Sequence, residues 1–192
     1  MRKGRGEKES LMAKKIVVIN GSPRKAGNTA RMVDAFTKAA EERGAEVVHF
    51  NAALSNVGTC HACETCYKTG KACTYDDDFN TLAPEILDAD GVVFAAPTYW
   101  YSFPGQIKNV IDKHYAFMIG QKDIAGKDCA LLACCEESEL DVMDGLKGPF
   151  EKIANLVKWN VVGEVLVPGV LEEGAVDKTD GCTRAAALAE KF

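Results

Sequence analysis

Short β-branched apolar runs alternate along the chain with stretches whose apolar positions recur every three or four residues. Residues 15–20 (KIVVIN) are the first such run, with nothing polar between Ile16 and Ile19. A run of this kind predicts a strand buried on both faces, as in a parallel sheet. Residues 30–43 follow with Val33, Phe36 and Ala40 at helical spacing and Met32, Ala35 and Ala39 beside them. Gly44 is placed to stop that helix. The alternation continues with strands at 46–50, 91–96, 128–134 and 161–167. Helices are predicted at 80–89, 107–118, 146–159 and 185–191. Asp76, Asp77 and Asp78 precede the second helix, where carboxylates suit the positive end of the dipole.

Five strands separated by helices predict an α/β fold with a parallel sheet covered on both faces. One such pass in about 180 residues predicts a flavodoxin-like three-layer sandwich with strand order 2-1-3-4-5. The 192 residues suit one domain, taken as 14–192. Residues 1–13 are read as a disordered leader, with Met12 an alternative start. MRKGRGEKES is charged and no apolar stretch follows it, so it is no secretory signal. In this topology ligands bind at the carboxyl ends of the strands, beside the switch point between the first and third. The segments expected there are GSPRKAGNT, the cysteine-rich stretch, PTYWYSFPG and CEESE.

Composition narrows the possibilities. Hydrophobic residues make up 47% and charged residues 27%, the profile of a folded globular chain. The formal net charge of -5 argues against a nucleic-acid binder, and no apolar run approaches the roughly 18 residues of a membrane span. Eight cysteines are unusual, and four of them lie between Cys60 and Cys73. With no secretory signal the thiols are read as those of a reducing, cytoplasmic protein.

The loop at 21–29 joins a strand to a helix N-terminus, which offers unpaired N–H groups and a positive dipole end to an anion. Ser22 and Thr29 add hydroxyls, Arg24 adds a cation, and Gly21 and Gly27 let the backbone approach closely. G-x-G-x-x-G is absent, and Asn28 stands where a Walker A loop would need Lys. The bland alternative is a polar turn capped by Asn or Thr. Further on, Tyr99, Trp100, Tyr101 and Phe103 crowd the mouth of the third strand between Pro97 and Pro104. They offer either a flat wall for a ring system or a subunit contact.

NGSPRKAGNT, followed downstream by GVVFAAPTYWYSFPGQIKNVID, resembles the NADPH-dependent FMN reductase family of flavodoxin-like proteins over nearly the whole chain after residue 13. The resemblance implies that Ser22, Arg24, Asn28 and Thr29 hold the FMN phosphate. It implies that Pro97, Thr98, Tyr99 and Trp100 contact the flavin ring. It further implies noncovalent FMN, reduction by NAD(P)H, a quinone, small-molecule or protein electron acceptor, and a homodimer or homotetramer. The chemistry would sit on the flavin, so no catalytic acid or base is nominated. An electron carrier without its own NAD(P)H turnover is the alternative.

Cys60, Cys63, Cys66 and Cys73 give C-x2-C-x2-C-x6-C. Four thiolates in one loop suit an iron–sulfur cluster or a zinc ion; they can also be packed or redox-active without metal. The spacing resembles the iron–sulfur flavoprotein branch of the same family, which implies a 4Fe–4S cluster exchanging electrons with FMN. His61 is read as an exposed loop residue. Cys134 is read as core, Cys135 as facing the pocket, and Cys129 and Cys182 as packing. His49 and His114 are read as packed or surface residues, and Glu136, Glu137 and Glu139 as a solvated loop.

Overall fold

The computed structural model describes residues 13–192. The leader assigned to 1–13 therefore lies, but for Ala13, outside the described residues, as does the alternative start at Met12. The elements in chain order are β1 (Lys15–Asn20), α1 (Asn28–Glu42), β2 (Glu46–Asn51), α2 (Phe79–Asp88), β3 (Gly91–Pro97), α3 (Gly105–Lys113), α4 (Tyr115–Ile119), β4 (Asp128–Cys134), α5 (Asp144–Val157), β5 (Asn160–Val167) and α6 (Gly181–Leu188). All strand pairs are parallel and the sheet order is β2-β1-β3-β4-β5, the flavodoxin-like order expected.

Successive side chains of a strand point to opposite faces, so each central strand feeds two cores. Val17, Ile19, Val92, Phe94 and Leu131 face a layer built by α2 to α5, with Phe79, Ile107, Phe117 and Phe150 packed on them. Ile16, Val18, Val93 and Leu132 face α1 and α6 through Met32, Phe36 and Leu188. Phe36, Phe79, Phe94, Phe117 and Phe150 are each less than 2% exposed. Burial of each contributes about 1.5–3 kcal/mol, four of them in the layer of α2 to α5 and Phe36 in the other. The two edge strands, β2 and β5, are the ones left partly exposed along their length.

Two elements depart from the periodicity. The helix expected over 107–118 is two, because the turn at His114 ends α3 and starts α4. The final helix begins at Gly181, four residues before the apolar run that predicts it. A Cβ on Gly181 would stand 2.8 Å from Val167 and 2.9 Å from Val176, so this start is set by close packing on β5. Gly44 ends α1 as expected, at φ 88° with its N–H donating to Glu41 O (2.8 Å).

Candidate functional site

The carboxyl ends of β1, β3 and β4 open on a cleft of about 460 Å³. That is within the range for small-molecule and cofactor sites. Its floor is the β1–α1 loop. Asn20 Oδ1 accepts the Ser22 N–H (2.9 Å), Ser22 Oγ accepts the Arg24 N–H (3.3 Å), and the Asn51 side chain donates to Ser22 O (3.2 Å). These bonds curl the loop so that α1 begins with Gly27 as its cap and no side chain on its first N–H groups. The first helical bond runs from Arg31 to Gly27 O (3.1 Å); the N–H groups of Asn28, Thr29 and Ala30 have no protein acceptor among the described residues. Those donors, the helix dipole and the exposed Arg24 guanidinium, which has no carboxylate partner among the described residues, make an anion cradle.

Thr29 and Cys134 share a hydrogen bond in the wall of this cradle (3.3 Å). Burial pushes the Cys134 thiol up to about 11, so it stays protonated and can donate to Thr29 Oγ1. The hydroxyl hydrogen of Thr29 is then free for an anion. Ser22, Arg24 and Thr29 all line the cleft beside this helix start. Asn28 lines the cleft too, but its side chain has another role. Its Nδ2 donates to Val170 O (3.1 Å) and Glu172 O (2.9 Å), and its Oδ1 accepts the Val176 N–H (3.2 Å). The amide staples the start of α1 to the segment after β5, which leaves the backbone N–H as its contribution to the cradle.

The segment after β3 also lines the cleft and brings Pro97, Thr98, Tyr99 and Trp100 together on it. Tyr99 and Ser102 exchange both backbone hydrogen bonds (3.0 Å each) around a two-residue turn. Trp100 (φ 49°) and Tyr101 (φ 60°) are both left-handed. Such turns favour Asn-Gly; with bulky residues each costs about 1–2 kcal/mol. Strain of this kind concentrates at functional sites. The hairpin is docked on α5 at Gly145, where any Cβ would collide with the Tyr101 carbonyl oxygen. Trp100 at the tip is 95% exposed. Thr98 Oγ1 is buried with no hydrogen-bond partner, an orphaned polar atom beside the cleft that a ligand's polar edge would satisfy.

Several residues correct the sequence reading. Phe103 is not part of the wall: it is buried and packs edge-on against Phe94 (centroids 6.5 Å apart). Glu136 and Glu137, in the CEESE segment expected at this end of the sheet, line the cleft, and so do Val170 and Leu171 after β5, which the sequence reading did not place there. Nothing in the composition of the β5 segment signals the latter pair, because they arrive only through sheet order. Cys134 is core, as read, yet also touches the cleft, and Cys135 lines it.

Cys60, Cys63, Cys66 and Cys73 line a second, smaller cavity against α3 and α4, together with Lys113 and Tyr115. None of the four reaches the cleft, so the loop does not stand where the switch-point rule expects it. Left-handed residues at Ala62 (φ 49°), Glu64 (φ 54°) and Tyr67 (φ 60°) curl the backbone between the cysteines. Such curls turn N–H groups inward and form anion-binding concavities, iron–sulfur sites among them. The Thr65 hydroxyl (3.1 Å) and nearby backbone N–H groups hold the Cys63 thiol below its ordinary value, whereas burial pushes Cys66 up. Among the described residues no three His, Cys, Asp or Glu side chains stand close enough to hold a single metal ion.

The model of the family described as NADPH-dependent FMN reductase matches residues 14–144. An iron–sulfur flavoprotein from Methanosarcina thermophila is 33% identical over 114 residues, 59% of this chain and 58% of that protein. One from Archaeoglobus fulgidus is 36% identical over 99 residues, 52% of this chain and 44% of its own length. The chain thus spans about half the length of the curated relatives it matches. Among solved structures, an NAD(P)H:quinone oxidoreductase from Methanothermobacter marburgensis superposes with TM-score 0.70 at 14% identity, covering 93% of this chain and 95% of that one. An azoreductase from Bacillus anthracis does so with TM-score 0.70 at 18% identity, covering 93% and 100%. The structural likenesses speak for the fold alone. The family match runs from β1 to the start of α5 and includes the cradle and the strained hairpin, and on that ground the chain belongs to the NADPH-dependent FMN reductase family.

Proposed function

We propose that the protein is an FMN-dependent oxidoreductase that takes electrons from NAD(P)H and delivers them to a quinone, another small molecule or a protein. The observation that carries this reading is the cleft, lined by free helical N–H groups, Thr29, Arg24 and the orphaned Thr98 hydroxyl. Ser22, Arg24, Thr29 and the Asn28 backbone would hold the phosphate, and Pro97, Thr98, Tyr99 and Trp100 would hold the ring. Bound FMN supplies a hydride acceptor and an electron donor. The chain's own part is to hold both ends of the cofactor and to keep water from one ring face with the hairpin. A cytoplasmic, homodimeric or homotetrameric protein belongs to the same proposal; Trp100 and Tyr101, left exposed at the cleft mouth, supply apolar surface for a subunit contact. The test is an absorption spectrum and FMN content on purified protein, followed by NAD(P)H oxidation with quinone as acceptor. A colourless protein that takes up no FMN overturns the reading.

We further propose that Cys60, Cys63, Cys66 and Cys73 hold a 4Fe–4S cluster. The presence of all four cysteines in the lining of one cavity supports it, as do relatives named iron–sulfur flavoproteins. Iron and acid-labile sulfide on anaerobically purified protein decide it; a single zinc without iron overturns it. A second reading, an electron carrier without NAD(P)H turnover, is favoured by the exposure of Cys60 and Cys63, which would leave a cluster open to a protein partner. Rapid exchange with ferredoxin without steady-state NAD(P)H oxidation would select it.

A further inference from the structure

Lys113 is the one lysine or arginine lining the cysteine cavity, and its side chain is only 5% exposed. Its Nζ lies 3.1 Å from Asp77 Oδ2 and 3.4 Å from Cys73 Sγ. Asp77 is itself locked: Oδ2 also accepts the Gly58 N–H (2.9 Å) and Oδ1 the Phe79 N–H (2.9 Å). Cys73 is held from its other side, its N–H donating to Asn80 Oδ1 (2.7 Å). The cation is therefore fixed against one of four thiols by two backbone anchors on its partner carboxylate.

A purely structural account of this lysine is weak. Desolvation cancels most of what a buried ion pair gains, and well-packed apolar residues of similar volume do as well or better. A buried ammonium that spends one of its donors on a cysteine sulfur asks for an electrostatic reason. We infer that Lys113 is a positioning residue that anchors the Cys73 thiolate and raises the reduction potential of the cluster in this cavity, with Asp77 as its counterweight. The inference rests on the cluster reading above. One-electron reduction, with the reduced flavin as donor, adds one negative charge to a four-thiolate cluster and breaks no bond. A fixed cation at hydrogen-bond distance from a ligand sulfur stabilises the more negative form more than the less negative one. Asp77, one contact further out, opposes it in part.

The experiment uses the full chain purified anaerobically as wild type, K113Q, K113R and D77N. Iron and sulfide are measured first, and then the cluster midpoint by potentiometric titration followed by electron paramagnetic resonance. K113Q keeps a donor but loses the charge, and its cluster midpoint is expected to fall by at least the ~59 mV that a tenfold change in a one-electron equilibrium represents. K113R is expected to stay near wild type and D77N to move the other way, with the flavin midpoint unchanged in all four. A strut without an electrostatic role would not give shifts of opposite sign. If K113Q loses iron while K113R keeps it, the charge requirement stands. Equal midpoints in K113Q and K113R, equal loss of iron in both, or a downward shift in D77N overturns the inference while leaving the cluster reading intact. A wild type without iron or sulfide overturns both, and is read in the first step.

Discussion

The cleft and the cysteine cavity reach their chemistry by opposite routes. The cleft is assembled from segments far apart in the chain, carried on the rigid ends of β1, β3 and β4 and joined by bonds such as Asn28 to Val170 and Glu172. Its donors are largely backbone groups, positioned by where helices start and strands stop. The cavity is assembled mostly from one stretch without regular structure between β2 and α2. That stretch is tied down by side-chain bonds, among them Asn56 to Asp78, Gly58 to Asp77, Asn109 to Val57, Cys73 to Asn80 and Lys113 to Cys73. Its donors are side chains in a local motif. A site made by topology tolerates changes in side-chain identity that a site made by a motif does not.

The sharpest way to break that contrast is to remove one ligand from the motif. C63S is expected to reduce bound iron to near zero while FMN content stays at the wild-type ratio, as read by metal analysis and absorbance. Loss of FMN in the same variant would show that the two sites are one. Next in size is R24A, which removes a charge-assisted contact worth about 1.5–3 kcal/mol. FMN affinity should fall tenfold or more by fluorescence titration, and affinity for riboflavin, which lacks the phosphate, should hold; equal losses would move Arg24 off the phosphate end.

The hairpin offers a smaller test in which stability and binding part company. The double substitution W100N with Y101G places favoured residues in the left-handed turn. It should raise stability by about 1–2 kcal/mol in denaturant melts while weakening FMN binding. A fall in stability would mean that the aromatic tip packs rather than waits for a ligand. Smallest is the effect of His114, which is fully buried among Phe79, Phe94, Phe117 and Trp159. Its Nδ1–H donates to Val110 O (2.9 Å) and Nε2 is unpartnered. Burial holds its pKa below the ordinary 6.5. The unfolded chain therefore takes up a proton first as pH falls. Stability contributed by the neutral ring is full above pH 6.5 and is lost below it, at a slope of at most about 1.4 kcal/mol per pH unit. H114Q should flatten that slope without altering either cofactor ratio.

Much of the fold was legible along the chain because period-2 and period-3.6 patterns are local. KIVVIN and DCALLAC begin and end where the patterns say. The break at His114 was not legible, since Ile107 to Met118 reads as one apolar stripe and only packing against the sheet divides it. At the site, GSPRKAGNT announced an anion cradle because a strand, a glycine-bearing loop and a helix start are written consecutively. The diversion of the Asn28 amide was hidden because its acceptors lie more than 140 residues away. Phe103 could not be separated from Tyr99 to Tyr101 by composition; the turn at Trp100 and Tyr101 decides which rings face out.

The sequence by itself determined the strand and helix order, the cradle's donors, the four-cysteine motif and the resemblance to one family, because each is written as local runs of residues along the chain. Only the tertiary structure decided that the cysteines stand apart from the cleft, that Gly145 seats the hairpin, and that Lys113 meets Cys73 across 40 positions of sequence. Those contacts are closed by the sheet order and by helix packing, and no local pattern of residues encodes a distance across a folded core.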